Sequence, residues 1–227
     1  MNINIIDLSL KQDSFPRFKR DFGVEYNCIY YNGFKDKYPK VKKGEIVVLT
    51  GSEYSIIRDY EWLPVLLSWV NDIYYSNVPI LGICYGHQLI ARALADIKAV
   101  SKAPIPEMTF IPIYIIKNHV IFNELENPFH AMSAHYDMVK ELPEGFEIIA
   151  YSKDCNNQIM IDKNRPAIGL QFHPEIDIET GKKCIYIEEK ILIEKGLNPN
   201  HLLELIPHKP TGADRILRNI ALYFREF

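Results

Sequence analysis

The stretch Gly82-Ile83-Cys84-Tyr85-Gly86 places a cysteine on a tight turn between an apolar run at residues 78–81 and a helical segment at residues 87–94. Glycines two residues on either side of the thiol allow a sharp turn and close packing of strand and helix, as in the G-x-S-x-G nucleophile elbow. Unpaired amides and the helix dipole at such a turn favour the thiolate. We therefore expect Cys84 to be a nucleophile that points into solvent. The pentapeptide alone leaves a buried structural cysteine as the alternative.

A histidine and a carboxylate follow the apolar run at residues 167–172. His173 and Glu175 are two residues apart, so in an extended chain their side chains lie on the same side. Pro174 between them fixes φ and stiffens this relation. Together with Cys84 the pattern predicts a triad in which the cysteine attacks, His173 transfers the proton and Glu175 orients the imidazole. Without Cys84, a histidine and a glutamate at a strand end are more often a surface pair.

Two motifs carry a resemblance to a known family. They are Gly82-Ile83-Cys84-Tyr85-Gly86-His87-Gln88 and Gly169-Leu170-Gln171-Phe172-His173-Pro174-Glu175, and neither departs from the elbow and base-strand motifs of class I, or triad-type, glutamine amidotransferases. The chain resembles this family over most of residues 40–176. The resemblance implies a flavodoxin-like glutaminase architecture, which is an α/β fold with a central, mostly parallel sheet flanked by helices.

An oxyanion hole is the next feature that the resemblance implies. Residues 45–55 form a β-branched run into a glycine turn, where the family carries an S-G-G-P-x-S loop. An amide of Gly51 or Ser52, with the amide of Tyr85, would hold the oxyanion. Ser52 replaces the family's second glycine and would be strained if that position needs a positive φ; an ordinary strand-end turn is the alternative for this stretch. Gln88 matches the glutamine that contacts the amino acid end of the substrate.

Residues 131–139 resemble the family's S-H-x-D-x-V segment, which lies beside the substrate. The resemblance implies that His135 and Tyr136 contribute to substrate binding, with the tyrosine narrowing the pocket where the family usually has a small residue. The alternative is structural. His135 and Asp137 lie on one face of a strand and would pair there, and Tyr136 would pack on the outer face.

The order of elements predicts one domain, residues 1–227, in which βαβ units precede a strand-rich edge. We expect early strands at residues 2–8, 26–31, 46–50 and 79–83, and helices at 63–75 and from Cys84 to before Asp96. Later strands are expected at residues 110–116, 131–136, 146–151, 158–161 and 167–172, followed by helical stretches at 181–195, 200–205 and 213–224.

The composition is that of a soluble globular enzyme, with 48% hydrophobic residues and a formal net charge of −3. It predicts neither a nucleic-acid partner nor a membrane segment, and residues 1–8 lack the apolar core of a signal peptide. Four cysteines without a C-x-x-C pair or a nearby Cys/His cluster argue against a metal site. Reduced thiols in the cytoplasm fit best, and no cofactor is expected.

The predicted chemistry is hydrolysis of a γ-glutamyl amide through a cysteine thioester. Glutamine would be the substrate, with ammonia passed to an unknown acceptor or a partner synthase. The alternative is a γ-glutamyl peptidase or hydrolase that acts on γ-glutamyl compounds without a partner. The insert at residues 56–77 is similar to stand-alone members, which include γ-glutamyl peptidases and GMP-synthase-like proteins. A catalytically silent regulatory relative is disfavoured because all three triad residues are present.

Overall fold

The computed structural model describes residues 1–35, 37–209 and 211–227, and in this part of the chain nine strands form one sheet. The strands are β1 (Asn2–Asp7), β2 (Asn27–Asn32), β3 (Ile46–Leu49), β4 (Ile80–Ile83), β5 (Val100–Ile115), β6 (Phe129–Val139), β7 (Phe146–Tyr151), β8 (Ile159–Asp162) and β9 (Ala167–Leu170). The helices are α1 (Phe15–Phe22), α2 (Leu63–Tyr75), α3 (Tyr85–Ala95), α4 (Ile178–Ile187), α5 (Glu189–Glu194), α6 (Pro199–Glu204) and α7 (Arg215–Tyr223).

The sheet has a parallel half and an antiparallel half. Its order is β2-β1-β3-β4-β9-β8-β7-β5-β6. The pairings from β2 through β9 are parallel, and those from β9 through β6 are antiparallel. The predicted α/β fold with helices on the sheet and a strand-rich edge is confirmed. The expectation of a mostly parallel sheet is corrected to a mixed one, because short connections without crossover helices make neighbouring strands antiparallel.

Helices cover both faces of the parallel half. One face packs on α1 and α7 through a cluster that includes Phe18 and Ile216. The opposite face packs on α2 and α3 through a cluster that includes Leu66 and Leu89. Because both faces are covered, β3, β4 and β9 are buried at every position and have continuous apolar sequences. A third cluster joins α4, α5 and α6 to β5 and β6.

The element bounds differ from the expected ones at identifiable places. The bounds of α2 and β7 are as expected, whereas the eight-residue helix α1 is absent from the sequence prediction. The stretch 181–195 forms two helices, α4 and α5, that meet at Glu188. Strand β5 begins ten residues before the expected 110, with a register shift between Lys102 and Glu107. Two prolines in that interval cannot donate to the ladder, which conceals the strand in the sequence.

Two elbow glycines are required by close packing. A Cβ at Gly86 would lie 2.3 Å from the carbonyl oxygen of Leu49, and a Cβ at Gly82 would lie 2.4 Å from the carbonyl group of Gly86. Helix α3 therefore rests directly on the ends of β3 and β4. This contact fixes the position of Cys84 at the carboxyl edge of the parallel strands, where open α/β sheets bind their ligands.

Candidate active site

Cys84 lies at the turn between β4 and α3 with a backbone conformation that is rare for a residue with a side chain. Its φ and ψ are 51° and −103°. Such strain persists only where the surroundings fix the conformation. The Cys84 amide donates to the Leu170 carbonyl at 2.7 Å, and the amide of Gly86 donates to the Thr50 carbonyl at 3.1 Å. The ends of β9 and β3 thus hold the elbow on both sides.

The thiol is buried, contrary to the expectation that it points into solvent. Cys84 is only 5% exposed. Its Sγ lies 3.6 Å from the carbonyl oxygen of Ala134 on β6 and 3.8 Å from Nε2 of Gln171, which follows β9. The expectation of an exposed thiol rested on the elbow alone and left out the contacts from distant strands. Burial results from β6 and the end of β9, which close over the sulfur.

The structure brings Cys84, His173 and Glu175 together. Nδ1 of His173 lies 2.8 Å from Oε1 of Glu175, and the His173 amide donates to the Met132 carbonyl at 2.7 Å. Burial of the ring alone would lower the pKa of His173. The charges of Glu175 and Cys84 and the hydrogen bonds to both outweigh burial, so the pKa lies well above its usual range. The imidazole is therefore arranged to hold a proton between the thiol and the carboxylate.

Arg20 on α1 supports the carboxylate side of this group, and sequence reasoning missed it. Its Nη2 donates to the carbonyl oxygen of Glu175 at 3.1 Å, and its Nη1 donates to Oδ2 of Asp177 at 2.9 Å. Oε2 of Glu175 is buried and has no hydrogen-bond partner among the described residues. No motif marks Arg20, because it lies on a short helix outside both of the motifs that predicted the triad.

The turn after β3 lies against both reactive side chains. A Cβ at Gly51 would lie 2.7 Å from Cε1 of His173 and 3.5 Å from Cβ of Cys84, so only glycine fits there without displacing the ring. Ser52 does not adopt a positive φ, and the strain considered for it is absent. Its Oγ accepts a hydrogen bond from the Tyr54 amide at 3.2 Å. The backbone of Tyr85 begins α3, while its side chain is fully buried in the core.

Gln88 and His135 are both buried and engaged within the protein. Nε2 of Gln88 donates to the Asp137 carbonyl at 2.6 Å and to Oε1 of Gln171 at 3.1 Å. The ring of His135 has Nδ1 3.0 Å from the Asp137 carbonyl and Nε2 2.9 Å from Oε2 of Glu107. His135 therefore contacts the backbone oxygen of Asp137. This resembles the structural alternative, in which the two residues pair with each other along the strand.

Tyr136 lies on the other face of β6 from its two neighbours. Its ring packs against the third hydrophobic cluster, with Nζ of Lys195 5.4 Å from the ring centroid. Its hydroxyl oxygen is buried and has no hydrogen-bond partner in the described part of the chain. These contacts agree with the packing alternative, and they place the phenol among α4 to α6.

Burial disfavours ionisation of the other three cysteines. It raises the pKa of Cys28 and of Cys184, and it raises the pKa of Cys155 to about 12. All four cysteines are free thiols.

Among the described residues, no group of three His, Cys, Asp or Glu side chains could hold a metal ion. None of the helices in residues 1–35, 37–209 and 211–227 has both the length and the apolar character needed to cross a bilayer.

Comparison with known proteins gives consistent matches. The family model "Glutamine amidotransferase class-I" matches residues 22–191. A GMP synthase (glutamine-hydrolyzing) subunit of Sulfolobus acidocaldarius is 35% identical over 167 residues, which are 68% of this chain and 86% of that protein. The corresponding subunit of Methanocaldococcus jannaschii is 43% identical over 101 residues, 44% of this chain, and the match spans about half (53%) of that relative's length.

Solved structures share the fold. A glutamine amidotransferase from Thermotoga maritima superposes with a TM-score of 0.81 at 22% identity, covering 100% of this chain and 99% of that one. A putative GMP synthase subunit from Thermoplasma acidophilum gives a TM-score of 0.68 at 24% identity, with coverage of 100% and 96%. At these identities the likeness establishes the architecture.

Proposed function

Since this chain belongs to the glutamine amidotransferase class-I family, we propose that it hydrolyses the γ-amide of glutamine through a Cys84 thioester and passes the ammonia to a separate synthase subunit. The observation that carries the proposal is the placement of His173 between the elbow thiol and Glu175. Relatives named as one subunit of a glutamine-hydrolyzing GMP synthase support a partner that consumes the ammonia. Four free thiols support a reducing compartment such as the cytoplasm.

The proposed reaction has two halves. The Cys84 thiolate attacks the γ-carbonyl carbon, and amides of Tyr85 and of Gly51 or Ser52 hold the oxyanion. The tetrahedral intermediate collapses as His173 gives its proton to the departing nitrogen, which releases ammonia and leaves a γ-glutamyl thioester. His173 then takes a proton from water, the hydroxide adds to the thioester carbonyl, and glutamate leaves as the thiolate is restored.

Substrate contacts follow from which polar atoms the protein leaves available. Both hydrogens of the Gln88 amide are donated to protein acceptors. We therefore assign its carbonyl oxygen to the substrate, where it would accept a hydrogen bond from the α-ammonium group. The side chains of His135 and Tyr136 are engaged elsewhere. They act on the substrate by positioning the β6 backbone, whose Ala134 carbonyl lies beside the sulfur.

The test is ammonia release from glutamine by the purified chain, with a γ-glutamyl dipeptide assayed beside it. Cys84→Ala should abolish turnover and retain the fold, whereas Cys184→Ala, which removes another thiol near His173, should keep most of the activity. A glutamine-analogue electrophile should label Cys84 ahead of the other three cysteines. Even labelling or an active Cys84→Ala protein would contradict the triad. Turnover of the dipeptide without turnover of glutamine would establish the peptidase alternative.

A further inference from the structure

A continuous path of hydrogen bonds leads from the Cys84 sulfur into the protein interior. It begins at Gln171, which is fully buried and whose Nε2 lies 3.8 Å from Sγ. Gln171 precedes His173 by two residues, and both side chains contact the thiol. The proposed reaction uses His173 and leaves Gln171 without a task.

The orientation of the Gln171 amide is fixed by its neighbour. The carbonyl oxygen of Asp137 can only accept, so the atom of Gln88 that lies 2.6 Å from it must be the amide nitrogen. The same nitrogen lies 3.1 Å from the Gln171 side chain and donates to its Oε1. Consequently the NH₂ group of Gln171 faces the sulfur.

The far end of the path is anchored by a buried carboxylate. The ring of His135 has Nδ1 3.0 Å from the same Asp137 carbonyl oxygen and Nε2 2.9 Å from Oε2 of Glu107. Glu107 also accepts from Nε2 of Gln158 at 2.7 Å and from Oγ of Ser133 at 3.0 Å. The path from Gln88 to Glu107 therefore runs only through buried residues, each in contact with the next.

Besides His173, the sulfur has two contacts that favour different protonation states. The Ala134 carbonyl can accept from a thiol but offers nothing to a thiolate. The Gln171 amide is a donor and stabilises the anion. We propose that Gln171 stabilises the Cys84 thiolate by donating a hydrogen bond to it, in an orientation imposed by Gln88, Asp137, His135 and Glu107. The inference rests on the proposed function, because it assigns Gln171 to the nucleophile of that reaction.

Other titratable groups near the thiol have separate positions. His173, backed by Glu175, faces the sulfur from the loop after β9, and Cys184 on α4 lies within the electrostatic reach of His173. On α3, burial lowers the pKa of His87 to about 3, so this ring is neutral near pH 7. On β6, the side chain of His135 is directed to Glu107. A substitution at Gln171 removes none of these titratable groups, so a shift of the Cys84 pH profile can be assigned to the lost amide.

The test is the rate at which iodoacetamide alkylates Cys84 as a function of pH, followed by mass spectrometry of the Cys84 peptide. Gln171→Met keeps the length of the side chain and removes the donor. We expect its pH profile to move up by about one unit, with alkylation at pH 7 about tenfold slower. Gln158→Met is the matched control, because Gln158 is also fully buried but contacts Glu107 rather than the sulfur. Glu107 keeps its contacts with His135 and Ser133 in this variant, so the profile should move far less than in Gln171→Met.

A second variant keeps the inference testable if Gln171→Met does not fold. Gln88→Met frees the Gln171 amide to rotate and should shift the profile in the same direction by a smaller amount. In glutamine hydrolysis, Gln171→Met should lower kcat about tenfold with KM nearly unchanged. An unshifted profile in both variants, or an equal shift in Gln158→Met, would overturn the inference. Alkylation does not require turnover, so absence of glutaminase activity would count against the proposed function alone.

Discussion

His173 is the side chain on which the proposed chemistry depends most, because it contacts both the nucleophile and Glu175. Its position is set by its own backbone, which bridges to Met132 on β6, and by Gly51, which leaves room for the ring. The carboxylate and the thiolate together keep its pKa high. In the proposed reaction, the raised pKa provides an imidazolium that can protonate the leaving amine.

The first prediction separates His173 from Glu175. His173→Ala should lower kcat for glutamine by about 10²- to 10⁴-fold, since it removes the proton donor. Glu175→Gln should cost less, because an amide oxygen can still orient the ring. The double variant should be little worse than His173→Ala, since the two residues act as a unit. Multiplicative losses measured by steady-state kinetics would mean that Glu175 is not the orienter.

The second prediction concerns pH. Acylation needs protonated His173, so the rate should fall as pH rises through its raised pKa. In Glu175→Gln the negative charge that raises this pKa is gone, so the alkaline limb of the kcat/KM profile should move to lower pH. The change should appear in the pH profile of residual glutaminase activity. A limb that stays in place would show that Glu175 does not set the ionisation of the imidazole.

Strand β6 divides its side chains between two environments, and this explains why Tyr136 does not face the thiol. His135 enters the polar interior, whereas Tyr136 packs on the cluster formed with α4 to α6. Alternation along a strand requires this separation. The segment that resembles a substrate-binding motif therefore directs His135 to a polar partner on one face and packs Tyr136 on helices at the other.

The third prediction tests this assignment of Tyr136. Tyr136→Phe removes a buried hydroxyl that has no hydrogen-bond partner in the described chain, so stability should be unchanged or higher. Tyr136→Gly should lower the free energy of unfolding by about 3 kcal/mol, because it empties part of the cluster and places glycine in a strand. Urea unfolding measures both. If Tyr136→Phe or Tyr136→Gly changes the ratio of kcat/KM for glutamine and a γ-glutamyl dipeptide, the phenol lines the substrate pocket instead.

Across the whole molecule, the antiparallel half of the sheet encloses a polar group built around one buried carboxylate. Glu107 on β5 is buried with His135 and Ser133 of β6 and Gln158 before β8. Burial alone would raise the pKa of Glu107. The hydrogen bond and charge of His135, with hydrogen bonds from two serines, outweigh burial and lower it. Hydrogen bonds from several elements to one buried carboxylate hold these strands in one arrangement.

The fourth prediction follows from that lowered pKa. A carboxylate whose folded-state pKa lies below its unfolded value stabilises the fold fully above the unfolded pKa of about 4.3, and the stabilisation disappears as pH falls through the folded value. Glu107→Gln should lower the free energy of unfolding by about 3 kcal/mol at pH 7, since it breaks a buried pair. The difference from the unaltered protein should shrink below about pH 4. Glu147→Gln, at an exposed ion pair with Lys117, is the control and should change little. A difference that is constant with pH would contradict the linkage.

Elements with a strong local signal could be predicted from the sequence. Helix α2 has the expected bounds, and the elbow between β4 and α3 forms where the glycines predict a turn. Helix α1 was missed although its buried residues Phe18, Asp21 and Phe22 follow helical spacing. Its eight residues are fewer than the window of about 11 or more over which that spacing is normally read. The start of β5 was concealed by prolines that a register shift accommodates.

The sequence by itself determined the α/β elbow and the spacing that puts His173 beside Glu175, because both depend on residues within a few positions of one another. Only the tertiary structure decided that Cys84 is buried, that Gln171 donates to its sulfur and that His135 pairs with Glu107. These contacts join residues far apart in the chain, such as Gln171 and Cys84, which are 87 positions apart. Such pairings depend on strand order and register, and these are set by the packing of the whole sheet rather than by any local pattern.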